Sequence, residues 1–179
     1  MNSIAGNKLK NQHKKIPQDF YERDVLEVAP ELLGKILVLH SENELFKYRI
    51  SDVEAYRGEE DLACHASKGR TKRTETMYAH GGVLYIYLIY GMYWMMNIVT
   101  GKKDQAQAVL IRGLKEVQGP GRLTRLIGID RSYNGESLVT SERIWLEEGE
   151  NVHIYNTGPR IGIDYAGDIW KEKAWRFFI

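Results

Sequence analysis

The segment spanning residues 83–100 constrains the fold of this 179-residue chain more than any other feature. Aromatic and β-branched residues stand on both sides of Gly91, a pattern typical of two strands joined by a tight turn. Tyr85 and Tyr87 share one face of the first strand, because side chains alternate along a strand with a period of two. By the same alternation Tyr90 falls on the other face, and it is followed directly by Gly91. The segment therefore predicts a hairpin with an aromatic platform and an exposed aromatic tip.

Short apolar runs separated by turn residues continue along the rest of the chain. Pro30 is expected to interrupt the first helical run. Strands that arrive in hairpins, with short helices between them, are typical of an α+β domain. We expect one domain over residues 16–179, with a curved, mostly antiparallel sheet, surrounding short helices and a protruding β-hairpin. Further strands are predicted over 35–40, 45–56, 107–112 and 174–179, and short helices over 24–33, 59–65, 74–80 and 122–127.

The amino-acid composition limits the classes of protein to which this chain can belong. Hydrophobic residues make up 43% of the chain and charged residues 27%, as in soluble globular proteins. The longest apolar run is too short and too rich in tyrosine for a membrane span, and the N-terminus lacks the pattern of a secretory signal. Cys64 is the single cysteine, which fits a reducing compartment. We expect an intracellular protein, cytoplasmic or associated with the nucleoid if bacterial, that is monomeric and has no membrane partner.

Positive charge is concentrated in two places, although the formal net charge is only +1. Residues 1–15 carry four lysines and no acidic residue, and are predicted to form a disordered tail. The second cluster spans residues 68–73 and includes Arg70 and Lys72. Basic residues next to aromatic ones suit a phosphate backbone, and a solvated surface is an equally good interpretation of either cluster alone.

Val53-Glu54-Ala55-Tyr56 ends a predicted strand and carries the main candidate for chemistry. Glu54 and Tyr56 share a strand face, where a carboxylate can project into a cleft and act as a general base toward water. Arg112 ends another apolar strand and is a plausible partner that keeps Glu54 ionised. A structural glutamate in an ordinary ion pair is the competing interpretation.

Other catalytic chemistries lack their sequence patterns. The five histidines are scattered without metal-ligand spacing, and neither a nucleophile elbow nor a glycine-rich phosphate loop is present. We therefore expect neither a metal nor a cofactor. Water activated by a carboxylate is the chemistry that remains.

The predicted hairpin suggests a way to contact nucleic acid. Its tip, with Tyr90, Met92 and Tyr93, is slim and uncharged, and such a tip can enter a minor groove and wedge apart a base step. The alternative is that the tyrosines pack on the protein's own sheet. Asn97 interrupts an apolar run, and either a pocket role or a backbone hydrogen bond explains it.

Taken together and in this order, these motifs resemble the alkyladenine (3-methyladenine) DNA glycosylase family, the hydrolytic type without a helix-hairpin-helix. The resemblance extends from about residue 33 to residue 177. The motifs that carry it are Glu54-Ala55-Tyr56, Glu60-Asp61-Leu62-Ala63-Cys64-His65, the hairpin through Asn97-Ile98, Leu110-Ile111-Arg112, Gly119-Pro120-Gly121-Arg122-Leu123 and Arg160-Ile161-Gly162-Ile163.

The resemblance implies a monofunctional DNA glycosylase of base excision repair, acting on double-stranded DNA that contains a damaged purine. It would flip out an alkylated or deaminated purine and hydrolyse the N-glycosidic bond with a Glu-activated water, without lyase activity. A backbone carbonyl near Ile161 would help to hold that water, and Asn97 would reject the exocyclic amino group of guanine. The implied residues are Glu54 and Arg112 for catalysis; Tyr56, His65, Tyr87, Asn97 and Ile161 for the base; and Tyr90, Met92, Tyr93, Arg70 and Lys72 for DNA.

Two other functions are compatible with parts of this pattern. A non-catalytic minor-groove binder would keep the wedge and dispense with the chemistry, which leaves Glu54 and Arg112 without a role. A nucleosidase for small molecules would use the same pocket, and would leave Tyr90 and the basic cluster unexplained.

Overall fold

The structure is a computed structural model that describes residues 14–179. Most of the tail predicted over residues 1–15 lies outside the described residues. Lys15, at its end, forms a β-bridge with Glu147, and the Ile16 N–H donates to the Leu146 carbonyl at 2.9 Å. The described chain is therefore attached to the sheet from Lys15 onward.

The fold is an α+β domain built on an open, antiparallel sheet, as the sequence predicts. Nine strands make up the sheet in the part of the chain that the structure describes, and their pairings are all antiparallel. The main order is β3-β4-β5-β2-β1-β7, with β6 on β5, β9 on β2 and β8 on β9. The strands are β1 Ile36–Ser41, β2 Glu44–Arg57, β3 Leu84–Ile89, β4 Tyr93–Thr100, β5 Gln107–Leu114, β6 Val117–Gln118, β7 Ile144–Glu147, β8 Asn156–Gly158 and β9 Arg176–Phe178.

The long strand β2 joins the two parts of the sheet. Its first half pairs with β1, and its second half pairs with β5 on one edge and β9 on the other. The register with β5 shifts around Asp52, which marks a β-bulge where the strand changes partners. Glu54 lies near the end of β2, as the sequence predicts, and in the stretch that is paired on both edges, so its backbone is held within the sheet.

Short helices surround this sheet. Asp24 caps α2 by accepting a hydrogen bond from the Leu26 N–H at 2.9 Å. Pro30 lies inside the last turn of α2 and does not break it, contrary to expectation, because the helix ends one residue later and little of its hydrogen-bond ladder is lost. No helix among residues 14–179 is long and apolar enough to cross a membrane. The α-helices are α1 Gln18–Tyr21, α2 Val25–Glu31, α3 Pro120–Leu126 and α4 Asp168–Lys171, and 3₁₀ turns occupy Gly58–Glu60, His65–Lys68, Glu75–Tyr78, Arg131–Tyr133 and Asp164–Ala166.

The two faces of the sheet have different environments. Val53 and Ala55 of β2 are fully buried in the main core, where α2 and α3 also contribute apolar side chains. The alternate residues of β2 and β3 point to the other face, where Tyr56, Tyr85 and Tyr87 lie in a second cluster. The period-two pattern of these strands thus separates the core from the face that carries the candidate site.

Candidate active site

A cavity of about 300 Å³ opens on this second face of the sheet. Its volume is in the range of small-ligand sites, and its wall combines aromatic rings with a few polar groups. The lining residues come from β2, β3, β4 and β5, from the β3–β4 turn, from the segment between β2 and β3, from the start of α3 and from the segment before α4. They are Tyr56, Ala63, Cys64, His65, Arg73, Met77, Tyr85, Tyr87, Ile89, Tyr90, Met95, Asn97, Ala108, Leu110, Arg112, Pro120, Ile161, Gly162, Ile163 and Tyr165.

Glu54 lies directly behind this wall and has no exposed surface. Its Oε2 accepts a hydrogen bond from the Tyr56 hydroxyl at 2.8 Å, and its Oε1 accepts one from the Ile161 N–H at 2.7 Å. Arg112 Nη1 is 3.3 Å from the same Oε1. The three residues that bind the carboxylate all line the cavity, so Glu54 is connected to the cavity through them.

Burial raises the pKa of Glu54 above its ordinary value. The charge of Arg112 is the strongest opposing effect, followed by the hydrogen bonds from Ile161 and Tyr56. A carboxylate with a raised pKa binds a proton more readily than an exposed one, which is what a general base requires.

Arg112 is placed between two acidic side chains of β2. Its Nε lies 3.9 Å from Asp52 Oδ2 and has no hydrogen-bond partner, while Nη1 contacts Glu54. Arg176 of β9 donates to both oxygens of Asp52, at 3.0 Å from Nε and 2.7 Å from Nη2. These four charges form a row across β5, β2 and β9, and the row keeps the Arg112 guanidinium beside Glu54.

A second, fully buried ion pair positions the segment that contains Ile161. Arg160 donates through Nη2 to Asp61 Oδ1 at 2.9 Å and through Nη1 to the Ala55 carbonyl at 2.9 Å. Its guanidinium carbon also lies 4.7 Å from the centre of the Tyr56 ring. Arg160 therefore joins β2, the loop after it and residues 160–163, which brings the Ile161 N–H to Glu54.

Another part of the wall consists of aromatic rings. The ring centres of His65 and Tyr87 are 4.5 Å apart, and those of Tyr85 and Tyr87 are 5.4 Å apart. His65 Nδ1 lies 2.9 Å from the Tyr85 hydroxyl. Burial, together with the charges of Arg73 and Lys68, lowers the pKa of His65 to about 4. At neutral pH this histidine is uncharged and offers a flat ring.

Asn97 on β4 is buried in the same cavity wall. Its Nδ2 donates to the Tyr85 carbonyl across the β3–β4 pair at 3.1 Å. Because the amide is held by this bond, its position in the cavity is defined by the backbone of the hairpin.

The tip of the β3–β4 hairpin projects from the rim of the cavity. Tyr90 and Gly91 have φ values of 52° and 68°, and the Met92 N–H donates to the Ile89 carbonyl at 3.1 Å, as in a type I′ turn. Tyr90 is 83% exposed, so its ring does not pack on the sheet. A bulky residue held in a left-handed conformation is strained, and such strain is a reason to look for a function.

Comparison with known proteins fits this geometry. The family model of methylpurine-DNA glycosylase (MPG) matches residues 19–119 and 115–179. A protein of Legionella pneumophila (strain Lens), named “Putative 3-methyladenine DNA glycosylase”, is 45% identical over 174 residues, which cover 93% of this chain and 94% of that protein. Proteins of the same name from Natranaerobius thermophilus and Myxococcus xanthus (strain DK1622) are 40% and 42% identical; the alignments cover 92% of this chain in both cases, and 95% and 89% of those proteins. The chain belongs to the methylpurine-DNA glycosylase family.

Most of the residues predicted for the site of this glycosylase come together in the structure. Six of them line the one cavity, together with Tyr90 at its rim, and Glu54 lies behind them. Met92 is exposed beside Tyr90 on the tip. Ile161 contacts Glu54 through its N–H group. The expected role of a nearby backbone carbonyl in holding the water stays a prediction. The six are Tyr56, His65, Tyr87, Asn97, Arg112 and Ile161.

Three residues predicted to bind DNA lie away from the cavity of the glycosylase. Tyr93 is half-buried, and its ring packs beside Gly121 and 5.8 Å from the Arg125 guanidinium carbon. Arg70 forms ion pairs with Glu75 and Asp104 at 2.7 Å, so its charge is already compensated. Lys72 is exposed and does not line the cavity.

Sequence reasoning missed several residues of this glycosylase site. Asp52 could have been found, because it lies two residues before Glu54 and therefore on the same face of β2. Asp61 and Arg160 belong to the motifs of the resemblance, but their pairing across 99 residues leaves no local signal. Arg73 ends the basic cluster, and nothing in the sequence separates it from Arg70.

Proposed function

We propose that this member of the family removes alkylated or deaminated purines, 3-methyladenine among them, from double-stranded DNA by hydrolysis. The observation that carries the proposal is the position of Glu54, which three cavity-lining groups bind at the inner side of an aromatic cavity. The family membership agrees with it, as do the relatives, whose shared name includes 3-methyladenine DNA glycosylase. The enzyme would work in base excision repair, inside the cell and as a monomer.

The aromatic cavity suits a base that has left the duplex. A base inside DNA cannot be reached, so it must be rotated out at a cost of a few kcal/mol, a figure that is general for glycosylases. Tyr56, His65 and Tyr87 offer flat rings on which such a base can stack. Tyr90, exposed on the hairpin, would fill the gap that the base leaves in the duplex.

The chemistry follows from the bonds to the carboxylate. Among the described residues, Oε1 of Glu54 has two partners, Ile161 and Arg112, while Oε2 has the Tyr56 hydroxyl alone. A carboxylate has about four acceptor positions, so Oε2 can accept a further bond from water. Because Glu54 has no exposed surface, the water would have to reach Oε2 from the cavity side.

In the proposed reaction, Glu54 takes one proton from that water and the oxygen bonds to C1′ of the sugar. The bond from C1′ to the purine nitrogen breaks, and its electron pair leaves with the base. A methylated purine carries a positive charge, so it departs as a neutral molecule without a further proton. A deaminated purine such as hypoxanthine is neutral, so it departs as an anion and takes up one proton from water. Among residues 14–179, none of those that line the cavity is a lysine, which argues against a Schiff base and against strand cleavage.

A single substitution tests the proposal. Glu54→Gln should abolish the formation of abasic sites in duplexes that contain 3-methyladenine or hypoxanthine, while affinity for the same duplexes is nearly retained, because the amide keeps the shape and loses the base. Glu44→Gln is the matched control, since Glu44 is exposed at the other end of the same strand. Glu44→Gln should behave like the wild-type protein.

The two other functions give different results in the same experiment. A non-catalytic binder would bind the damaged duplex without producing abasic sites even as the wild-type protein. A nucleosidase would release bases from free nucleosides and not prefer the duplex. Loss of DNA affinity in Glu54→Gln would mean that this residue has a structural role.

A further inference from the structure

Arg73 is a charged cavity-lining residue whose role the proposed reaction leaves open. It lies in the loop after the His65–Lys68 turn, and its guanidinium carbon is 5.6 Å from the centre of the Tyr87 ring. This is the distance of a cation–π contact. The positive charge of Arg73 therefore already interacts with the Tyr87 ring, on which a flipped base would stack.

In the part of the chain that the structure describes, the charge of Arg73 has no acidic partner. Among the ion pairs of residues 14–179, the nearby carboxylate of Glu75 binds Arg70 at 2.7 Å, and Arg73 takes part in none. The other cation of the cavity wall, Arg112, is compensated by Glu54 and Asp52. The wall thus carries one uncompensated positive charge.

The effect of this charge reaches the aromatic groups of the cavity. Arg73 is one of the causes that lower the pKa of His65, which leaves that ring without a charge at neutral pH. It also opposes the effect of burial, which raises the pKa of Tyr85 to about 12. The pKa values of His65 and Tyr85, on the same wall, therefore both depend on the charge of Arg73.

We infer that Arg73 sets the preference of the enzyme between cationic and neutral damaged purines. This inference rests on the proposed function. A purine alkylated at a ring nitrogen carries a positive charge, and beside Arg73 and Tyr87 it meets a like charge that competes for the same ring. A deaminated purine such as hypoxanthine is neutral, and stacks there without that penalty. Arg73 thus disfavours the cationic class relative to the neutral one.

The test compares one substrate of each class. Excision of 7-methylguanine and of hypoxanthine is measured as kcat/KM in otherwise identical duplexes. Arg73→Gln should raise the ratio of the cationic to the neutral substrate on the order of ten-fold, because unit charges about 8–10 Å apart in a protein interact by roughly the equivalent of one factor of ten in rate. Arg73→Lys keeps the charge and should leave the ratio within about two-fold.

Arg70→Gln is the matched control. It removes one positive charge from the same loop, but Arg70 is paired with Glu75 and Asp104 and does not line the cavity. In Arg70→Gln, the ratio of kcat/KM for the cationic substrate to that for the neutral one should equal the ratio in the wild-type protein. Because Arg73 is exposed, Arg73→Gln should also keep the wild-type thermal unfolding temperature.

An equal loss for both substrates in Arg73→Gln would overturn the inference. If that loss came with a salt dependence reduced by about one phosphate contact, Arg73 would be a backbone contact instead. A ratio that changes equally in Arg70→Gln would also overturn it, because loop charge in general would then be the cause. If the wild-type protein excised neither base, the proposed function itself would fail, which is a different result from an unchanged ratio.

Discussion

The conformation of Tyr90 leads to a prediction in which stability and activity change in opposite directions. Tyr90 has a φ of 52° at the first central position of the β3–β4 turn, where asparagine is the preferred residue before glycine. A non-glycine residue in this conformation costs about 1–2 kcal/mol, and asparagine tolerates it better than tyrosine. The perturbation is Tyr90→Asn.

The expected gain in stability can be worked out from the exposure of the ring. Tyr90 is 83% exposed, so its packing on the protein amounts to about a sixth of a side chain that can bury roughly 200 Å², worth at most about 0.8 kcal/mol. The relief of backbone strain therefore outweighs the loss of this packing by at most about 1 kcal/mol, because asparagine still bears part of the strain. For a chain of this size, Tm should rise by roughly 1–4 °C.

Activity should fall in the same variant. Loss of the wedge is expected to raise the free energy of base flipping by about 2 kcal/mol. When the enzyme concentration is below saturation, this corresponds to about a 30-fold lower excision rate. The loss should be smaller for a lesion in a mismatch, because an unpaired base costs less to extrude. Glu42→Asn is the control, since exposed Glu42 has a φ of 51° in the β1–β2 turn, away from the cavity. It should raise Tm similarly and leave excision unchanged.

Two results would refute this reasoning. A lower Tm for Tyr90→Asn would mean that the tyrosine stabilises the fold by contacts that its exposure does not reveal. Unchanged excision of a paired lesion, with Tm raised as expected, would mean that the strained turn serves something other than base flipping.

Two further predictions concern the groups around Glu54. In Tyr56→Phe the ring is kept but the hydrogen bond that lowers the pKa of Glu54 is lost, so this pKa rises. Because the base must be ionised, the acidic limb of the kcat/KM profile should shift to higher pH; an unshifted limb would exclude Glu54 as the titrating group. Arg160→Met leaves Asp61 buried without its partner and should lower the free energy of unfolding by about 3–5 kcal/mol in urea titrations. The double variant with Asp61→Leu should recover most of this loss, and equal losses in both variants would show that the ion pair is not the cause.

The sequence was sufficient for features that depend on neighbouring residues. The hairpin, the shared face of Tyr85 and Tyr87, and the placement of Glu54 and Tyr56 on one face of β2 all follow from the period of a strand. The structure confirms the α+β class on this basis. The predicted bounds of β1, β2 and β5 differ from those in the structure by at most two residues.

Features that depend on distant partners could not be predicted in this way. The short strands β6, β7 and β8 show little hydrophobic periodicity in the sequence. They form because they pair with other strands of the sheet. Arg70 and Arg73 look equivalent in the sequence, and only their surroundings show that one is paired and the other faces the cavity. The position of Glu54 behind the wall also depends on Ile161, which is 107 residues away.

That separation has a consequence for how the enzyme becomes active. The groups that hold the Glu54 carboxylate come from β2, from β5 and from the loop that contains Ile161, so a fragment must span at least residues 54–161 to contain all of them. A partly folded protein can stack a base or touch DNA, but it lacks the assembled carboxylate. Hydrolysis of the glycosidic bond would then require the completely folded protein. A folding intermediate bound to DNA would leave the strand chemically intact.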